Sequence, residues 1–197
     1  VDLLSRIADQ FEESARTKLS AAEILAGPIS DAANVMVQSL LGGGKVLACG
    51  NGSSAADAQH FAAKMMGRFE RERPQLAALA LSADSPVITA LANVYSFRQI
   101  YARQIHTLAQ PGDVLLAISS SGRSDNILDA IEAAQERDMR IVAMTGRNGG
   151  HVAELMREGD IHICVPHERT ARIQEVHILA IHCLCDGIDC LLMGEDN

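Results

Sequence analysis

Val114-Leu-Leu-Ala-Ile118 is a short, wholly apolar run that stops in Ser119-Ser-Ser-Gly-Arg-Ser124. The chain then passes at once into helical spacing, with Ile127, Leu128, Ile131 and Ala134 on one face. An apolar run of that length predicts a fully buried strand. The loop that follows lies at the carboxyl end of a strand and the start of a helix, where free backbone N–H groups and the helix dipole favour an anion. Serine hydroxyls add donors without adding charge. The motif therefore predicts a site for a phosphorylated small molecule, although an N-cap serine alone explains one such loop equally well.

A second loop shifts that balance. Gly44-Lys-Val-Leu-Ala-Cys49 reads as another buried strand, and Gly50-Asn-Gly-Ser-Ser54 leads from it into a helical pattern from Ala55 to Arg68. Loops of this type converge on one edge of a parallel sheet, outside the carboxyl ends of its strands.

The rest of the chain keeps the same alternation. Strands are predicted near 45–49, 76–82, 114–119, 140–145 and 161–165. Helices are predicted at 54–68, 85–92, 97–109, 124–137 and 151–157, with a long one from about 170 to 193. Residues 1–41 read as two helices, broken at Gly27-Pro28 and restarted by Ser30 as N-cap. The expected architecture is a three-layer α/β/α sandwich on a mainly parallel sheet. It forms one domain over 1–197, with N-terminal helices in 1–41, an α/β core in 42–166 and a C-terminal helix in 167–197. Leu179, Ile181, Leu184, Ile188, Leu191 and Leu192 would leave an apolar stripe on a monomer, so the terminal helices are expected to pack in an oligomer.

Composition narrows the function classes. The chain has 197 residues and a formal charge of −8, which disfavours direct nucleic-acid binding because phosphate contacts need clustered Lys and Arg. No uninterrupted 18-residue apolar run predicts a membrane span, and Val1-Asp-Leu-Leu-Ser-Arg6 does not read as a signal peptide. The five cysteines, Cys49, Cys164, Cys183, Cys185 and Cys190, form no zinc-ribbon pair and read as buried free thiols of a cytoplasmic protein.

Four segments carry a resemblance: Cys49-Gly-Asn-Gly-Ser-Ser-Ala-Ala-Asp-Ala-Gln-His-Phe61, Arg68-Phe-Glu-Arg-Glu-Arg-Pro74, Gly112-Asp-Val-Leu-Leu-Ala-Ile-Ser119 and Ala171-Arg-Ile-Gln-Glu-Val-His177. With them the chain resembles, over nearly its whole length, the SIS (sugar isomerase) domain family. The likeness is to the branch that holds phosphoheptose isomerases and the DnaA initiator-associating (DiaA) proteins. Cys183-Leu-Cys-Asp186 with Ile188-Asp189 places it nearer the second group.

The resemblance implies that Asn51, Gly52, Ser53, Ser119, Ser120, Ser121, Ser124 and Gln174 hold a sugar phosphate. It also implies that His60, Gln174 and His182 match three positions of a zinc and catalytic cluster, with His182 catalytic if the chain is an isomerase. The fourth position, a glutamate in the isomerases, is Lys64 here. An ammonium is a poor base near neutrality and repels a cation. Val94 follows Asn93 where the family has Asn-Asp, and Arg123 stands where Asn is common. No cofactor is expected, with zinc reserved for the isomerase case.

The leading expectation is therefore a non-catalytic homotetramer that binds DnaA through Leu192 and Met193. The alternative is a phosphoheptose isomerase, and a weaker one is a phosphosugar sensor. His177, Glu175 and the charge run from Arg68 to Arg73 are read as structural, and Asp57 as favouring its helix through the dipole.

Overall fold

A computed structural model describes residues 2–194. Five strands, β1 (Val46–Gly50), β2 (Ala78–Ala80), β3 (Val114–Ser119), β4 (Arg140–Thr145) and β5 (Ile161–Cys164), pair in parallel in the order β2-β1-β3-β4-β5. Alternation along the strands sorts side chains to the two faces. Val46, Ala48, Val114, Leu116, Ile118, Val142 and Met144 join one buried cluster. Leu47, Cys49, Leu115, Ala117, Ile141 and Ala143 join the other.

Helices α1 (Leu3–Leu41), α2 (Ser53–Met66) and α7 (Thr170–Met193) supply the first cluster. Helices α3 (Ser85–Val94), α4 (Ile100–Leu108), α5 (Asp125–Glu136) and α6 (Gly150–Leu155) cover the second. The fold is the three-layer α/β/α sandwich that the alternation predicts.

The N-terminal expectation fails. Residues 3–41 form one helix with Pro28 inside it. Proline removes one intrahelical hydrogen bond and normally breaks a helix. Here Ala21 and Leu25 before it, and Ala32, Ala33 and Met36 after it, are all buried in the same cluster. Packing on both sides of the proline offsets the lost bond, and tertiary contact outweighs local propensity.

The stripe on α7 is also reassigned. Ile181, Leu184 and Ile188 are fully buried, because α1 lies along α7 closely enough that a Cβ on Gly187 would stand 3.3 Å from the Ala33 Cβ. Only Leu179 and Leu191 of that stripe are exposed, and the larger apolar exposure is on α1, at Leu3, Leu4, Ile7, Phe11, Leu19 and Ile24. Helices α1 and α7 are each long and apolar enough, by composition, to cross a membrane. Their packing against each other and the sheet accounts for the buried part of that apolarity, and the exposed apolar face of α1 remains uncovered in the single chain. Of the cysteines, Cys49 and Cys185 are buried, Cys164 and Cys190 half-buried and Cys183 exposed, so the expectation of five buried thiols holds for two.

His177 is fully buried on α7. Its Nε2–H donates to the Thr145 carbonyl at 3.0 Å, while Nδ1 has no partner among the described residues. Burial pushes this imidazole down to about 4 from the ordinary 6.5, against the opposing effect of the Thr145 bond. The unfolded chain takes up this proton near 6.5 and the folded chain only near 4. The stability tied to neutral His177 is therefore whole above 6.5 and is lost as pH falls across that window. In denaturant titrations at pH 7.5 and 4.5, wild type should lose roughly 2–3 kcal/mol more than His177→Gln. The difference isolates His177 from the opposite contribution of Asp57, whose carboxyl is raised to about 6.

Candidate sugar-phosphate site

Strands β1 and β3 are neighbours from which the strand order runs outward in opposite directions, so the loops after them meet at the sheet's topological switch point. The first loop turns at Gly52, whose φ of +58° and ψ of −123° favour glycine. In the second loop Gly122 has φ +62°, and a Cβ there would fall 1.8 Å from the Gly149 carbonyl oxygen. That close approach presses the Ser119–Ser124 loop onto the turn before α6, where Val152 N–H donates to the Gly122 carbonyl at 3.0 Å.

Neither helix that starts here is capped by a side chain. Gly52 precedes α2, and Ser124 precedes α5 without a side-chain cap hydrogen bond. The Ser119 hydroxyl instead donates to the Ser124 hydroxyl at 3.4 Å. Ser124 thus makes no side-chain cap bond, and two helix N-termini face the same sheet edge. The N–H groups of Ser54, Ala55 and Ile127 already donate to the Asn51, Gly52 and Ser124 carbonyls, which leaves the amides of Ser53, Asp125 and Asn126 for an anion. Ser119 is buried, Ser120, Ser121 and Ser124 are half-buried, and Ser53 is exposed. The Ser121 hydroxyl accepts from the Arg123 backbone N–H at 3.2 Å, and Arg123 is exposed.

The two loops are tied by a pair of amides. Asn51 Nδ2 donates to Asn126 Oδ1 at 2.8 Å, and Asn126 Nδ2 donates back to Asn51 Oδ1 at 2.9 Å. Tyr101, buried on α4, donates its hydroxyl to the Gly50 carbonyl at 2.5 Å beneath the first loop. Asn126 and Tyr101 escape a sequence reading because each looks like an ordinary helix residue, and only the fold sets them against Asn51. Asn126→Leu should orphan the Asn51 amide and lower stability by about 1–3 kcal/mol. It should also raise the KM for a phosphorylated sugar. A thermal melt beside a KM measurement checks both, and an unchanged KM would make the pair purely structural.

Ser53, Asp57, His60 and Lys64 follow the helical repeat along one face of α2. Asp57 is half-buried, and burial pushes its carboxyl up to about 6. His60 and His182, on α2 and α7, bring their Nε2 atoms to 3.1 Å. Phe69 lies against His182, with ring centroids 5.5 Å apart. Burial first, then the charges of His182 and Lys64, push the His60 imidazole below its ordinary value. Gln174 is half-buried two turns before His182 on α7, and among the described residues it bonds to neither imidazole. Asn93 and Val94 are both exposed at the end of α3.

This donor set does not fit zinc. Two imidazole nitrogens meet here, and the nearby charged group on the same face of α2 is the Lys64 ammonium. Among the described residues no group of three or more His, Cys, Asp or Glu side chains could hold a metal ion. Zinc sites in proteins use thiolates, imidazoles and carboxylates, and a neighbouring cation opposes the ion's charge.

Arg73 lies behind the site. Its Nε–H donates to Asp189 at 2.5 Å, and both side chains are buried. Its Nη atoms reach the carbonyls of Lys64 at 2.8 Å and Met65 at 2.9 Å at the end of α2. At the same end of α7, just beyond Asp189, Leu192 packs against the core and Met193 is exposed, so the apolar pair does not form one surface patch.

Residues 10–146 match the SIS domain family model. The phosphoheptose isomerase of Aromatoleum aromaticum is 59% identical over 197 residues, which is all of both chains. That of Dechloromonas aromatica is 57% identical over 196 residues, again the full length of both. Among solved structures, phosphoheptose isomerase GmhA from Neisseria gonorrhoeae is 50% identical with a TM-score of 0.91, covering 95% of this chain and 98% of its own. A phosphoheptose isomerase from Francisella tularensis is 46% identical with a TM-score of 0.93, covering 96% and 99%.

These full-length relatives overturn the expected closeness to the initiator-associating proteins, and with it the DnaA-binding role assigned to Leu192 and Met193. The segment that suggested it, Cys183-Leu-Cys-Asp186, includes buried Leu184 and Cys185, so it reflects how α7 packs. The loops, the parallel sheet and the family match agree, and the chain belongs to the SIS domain family.

Proposed function

We propose that this chain is a phosphoheptose isomerase, interconverting sedoheptulose 7-phosphate and D-glycero-D-manno-heptose 7-phosphate. The observation that carries the reading is its likeness over full length to relatives named for that activity, coupled with an imidazole pair beside two uncapped, serine-rich helix starts. In this reading Ser53, Ser119, Ser120, Ser121 and Ser124 and the amides at the starts of α2 and α5 hold the phosphate. Asn51, paired with Asn126, and Gly52 set the shape of the first loop, and Gln174 orients the sugar.

The reaction moves a proton between adjacent carbons, which needs a base within reach of both. His182 takes that role, and His60, held neutral near pH 7 by its surroundings, bonds to it and fixes its orientation. The enzyme works in the cytoplasm as a homotetramer. Support for self-association comes from the exposed apolar face of α1 and from an apolar groove of about 460 Å³ between α1 and α7, lined in part by Leu25, Ile29, Leu179 and Leu191.

The test is turnover of sedoheptulose 7-phosphate by the purified full chain, read as aldoheptose 7-phosphate formed. Conversion at rates proportional to protein supports the reading. A folded protein that forms no product, with or without added zinc, overturns it.

A further inference from the structure

Lys64 lies one turn beyond His60 on α2, in the place that completes the His60, Gln174 and His182 group. Its ammonium stands over the Phe69 ring, 5.7 Å from the centroid, and His182 also lies against that ring, at 5.5 Å between centroids. Phe69 is thus a shared neighbour of the lysine and the imidazole. The carbonyl of Lys64 accepts from the buried Arg73 guanidinium, which fixes the helix turn from which the side chain extends. A half-buried ammonium whose charge reaches the His60 imidazole is unsuited to neighbouring a dication. It is well suited to an oxygen that gains negative charge.

We propose that Lys64 supplies the positive charge of this site, so that the chain excludes zinc and works without a metal. The proposal rests on the isomerase reading. A proton leaves C2 of the aldose for an imidazole, its electron pair forms the C1–C2 double bond, and the C1 oxygen takes the charge beside Lys64. The C2 hydroxyl proton passes to that oxygen, C2 becomes the carbonyl carbon, and the imidazole returns its proton to C1. No atom or electron is gained or lost. Lys64 acts as a fixed charge and not as the base.

The experiment uses the purified full chain with zinc alone as probe, followed by desalting and metal analysis. Wild type should retain less than about 0.1 zinc per chain, and its turnover should be unchanged by EDTA. Lys64→Glu replaces the ammonium with a carboxylate donor and should retain about one zinc per chain. Lys64→Met should lower kcat by about 100-fold with little change in KM and gain no zinc, whereas Lys64→Arg should keep part of the activity.

Stoichiometric zinc on wild type, turnover abolished by EDTA, or an unchanged kcat in Lys64→Met would each overturn the proposal. Absence of turnover from wild type under every condition sinks the isomerase reading and with it the catalytic half. The zinc analysis alone then decides the exclusion of metal.

Discussion

Arg73→Ala is expected to lower the unfolding free energy by about 3–5 kcal/mol, the largest stability effect foreseen for a single side chain here. The guanidinium is wholly buried, as is Asp189, and no solvent is at hand to replace either partner. Truncation leaves the Asp189 carboxylate uncompensated; its Oδ2 already lacks a hydrogen-bond partner among the described residues. Truncation also strips the carbonyl of Lys64 of its Arg73 donor, while Met65 keeps only the Leu76 N–H at 3.0 Å.

Arg73→Met combined with Asp189→Leu should recover part of the loss, because an apolar pair removes the orphaned charge. It cannot recover all of it, since the Lys64 carbonyl still lacks the donor that Arg73 supplies. Denaturant unfolding of the wild type, the single and the double variants checks this order. A single variant within 1 kcal/mol of wild type would contradict it.

His182→Gln is expected to reduce kcat by about 10²–10⁴-fold while the protein stays folded. The imidazole is half-buried, its one hydrogen bond among the described residues is to His60, and its ring rests on Phe69, so an amide of similar size keeps the packing and removes the proton carrier. Circular dichroism and steady-state kinetics decide the matter together. A folded variant with near wild-type kcat would move the base elsewhere, first to Asp57, whose carboxyl burial has pushed up to about 6 on the same face of α2.

Several elements were legible in the chain because their signals are local. The strands Val114–Ser119 and Arg140–Thr145 and the helix Thr170–Met193 fall where apolar runs and helical spacing put them. A strand buried on both faces has to be apolar throughout, and a core helix has to repeat near 3.6 residues. The serine loops were legible for the same reason, each lying between a buried strand and a helix start.

What stayed hidden depends on partners far away in sequence. Pro28 reads as a break until both flanks are seen packed in one cluster. Arg73 reads only as part of a structural charge run, with no partner assigned, until it meets Asp189. Asn126 reads as a helix-start residue until Asn51, 75 positions away, pairs with it. The resemblance brought His60 and His182 into one group, but their 3.1 Å approach follows from how α2 and α7 share a core.

The sequence by itself determined the layer architecture, the strand order's raw material and the two serine-rich helix starts, because each follows from periodicity and residue chemistry within a few turns of chain. Only the tertiary structure decided the uninterrupted first helix, the amide clasp between the loops, the buried ion pair behind α2 and the setting of Lys64 over the Phe69 ring that His182 also touches. Burial and hydrogen-bond partnership are properties of pairs, and the pairs form only when distant segments share one core.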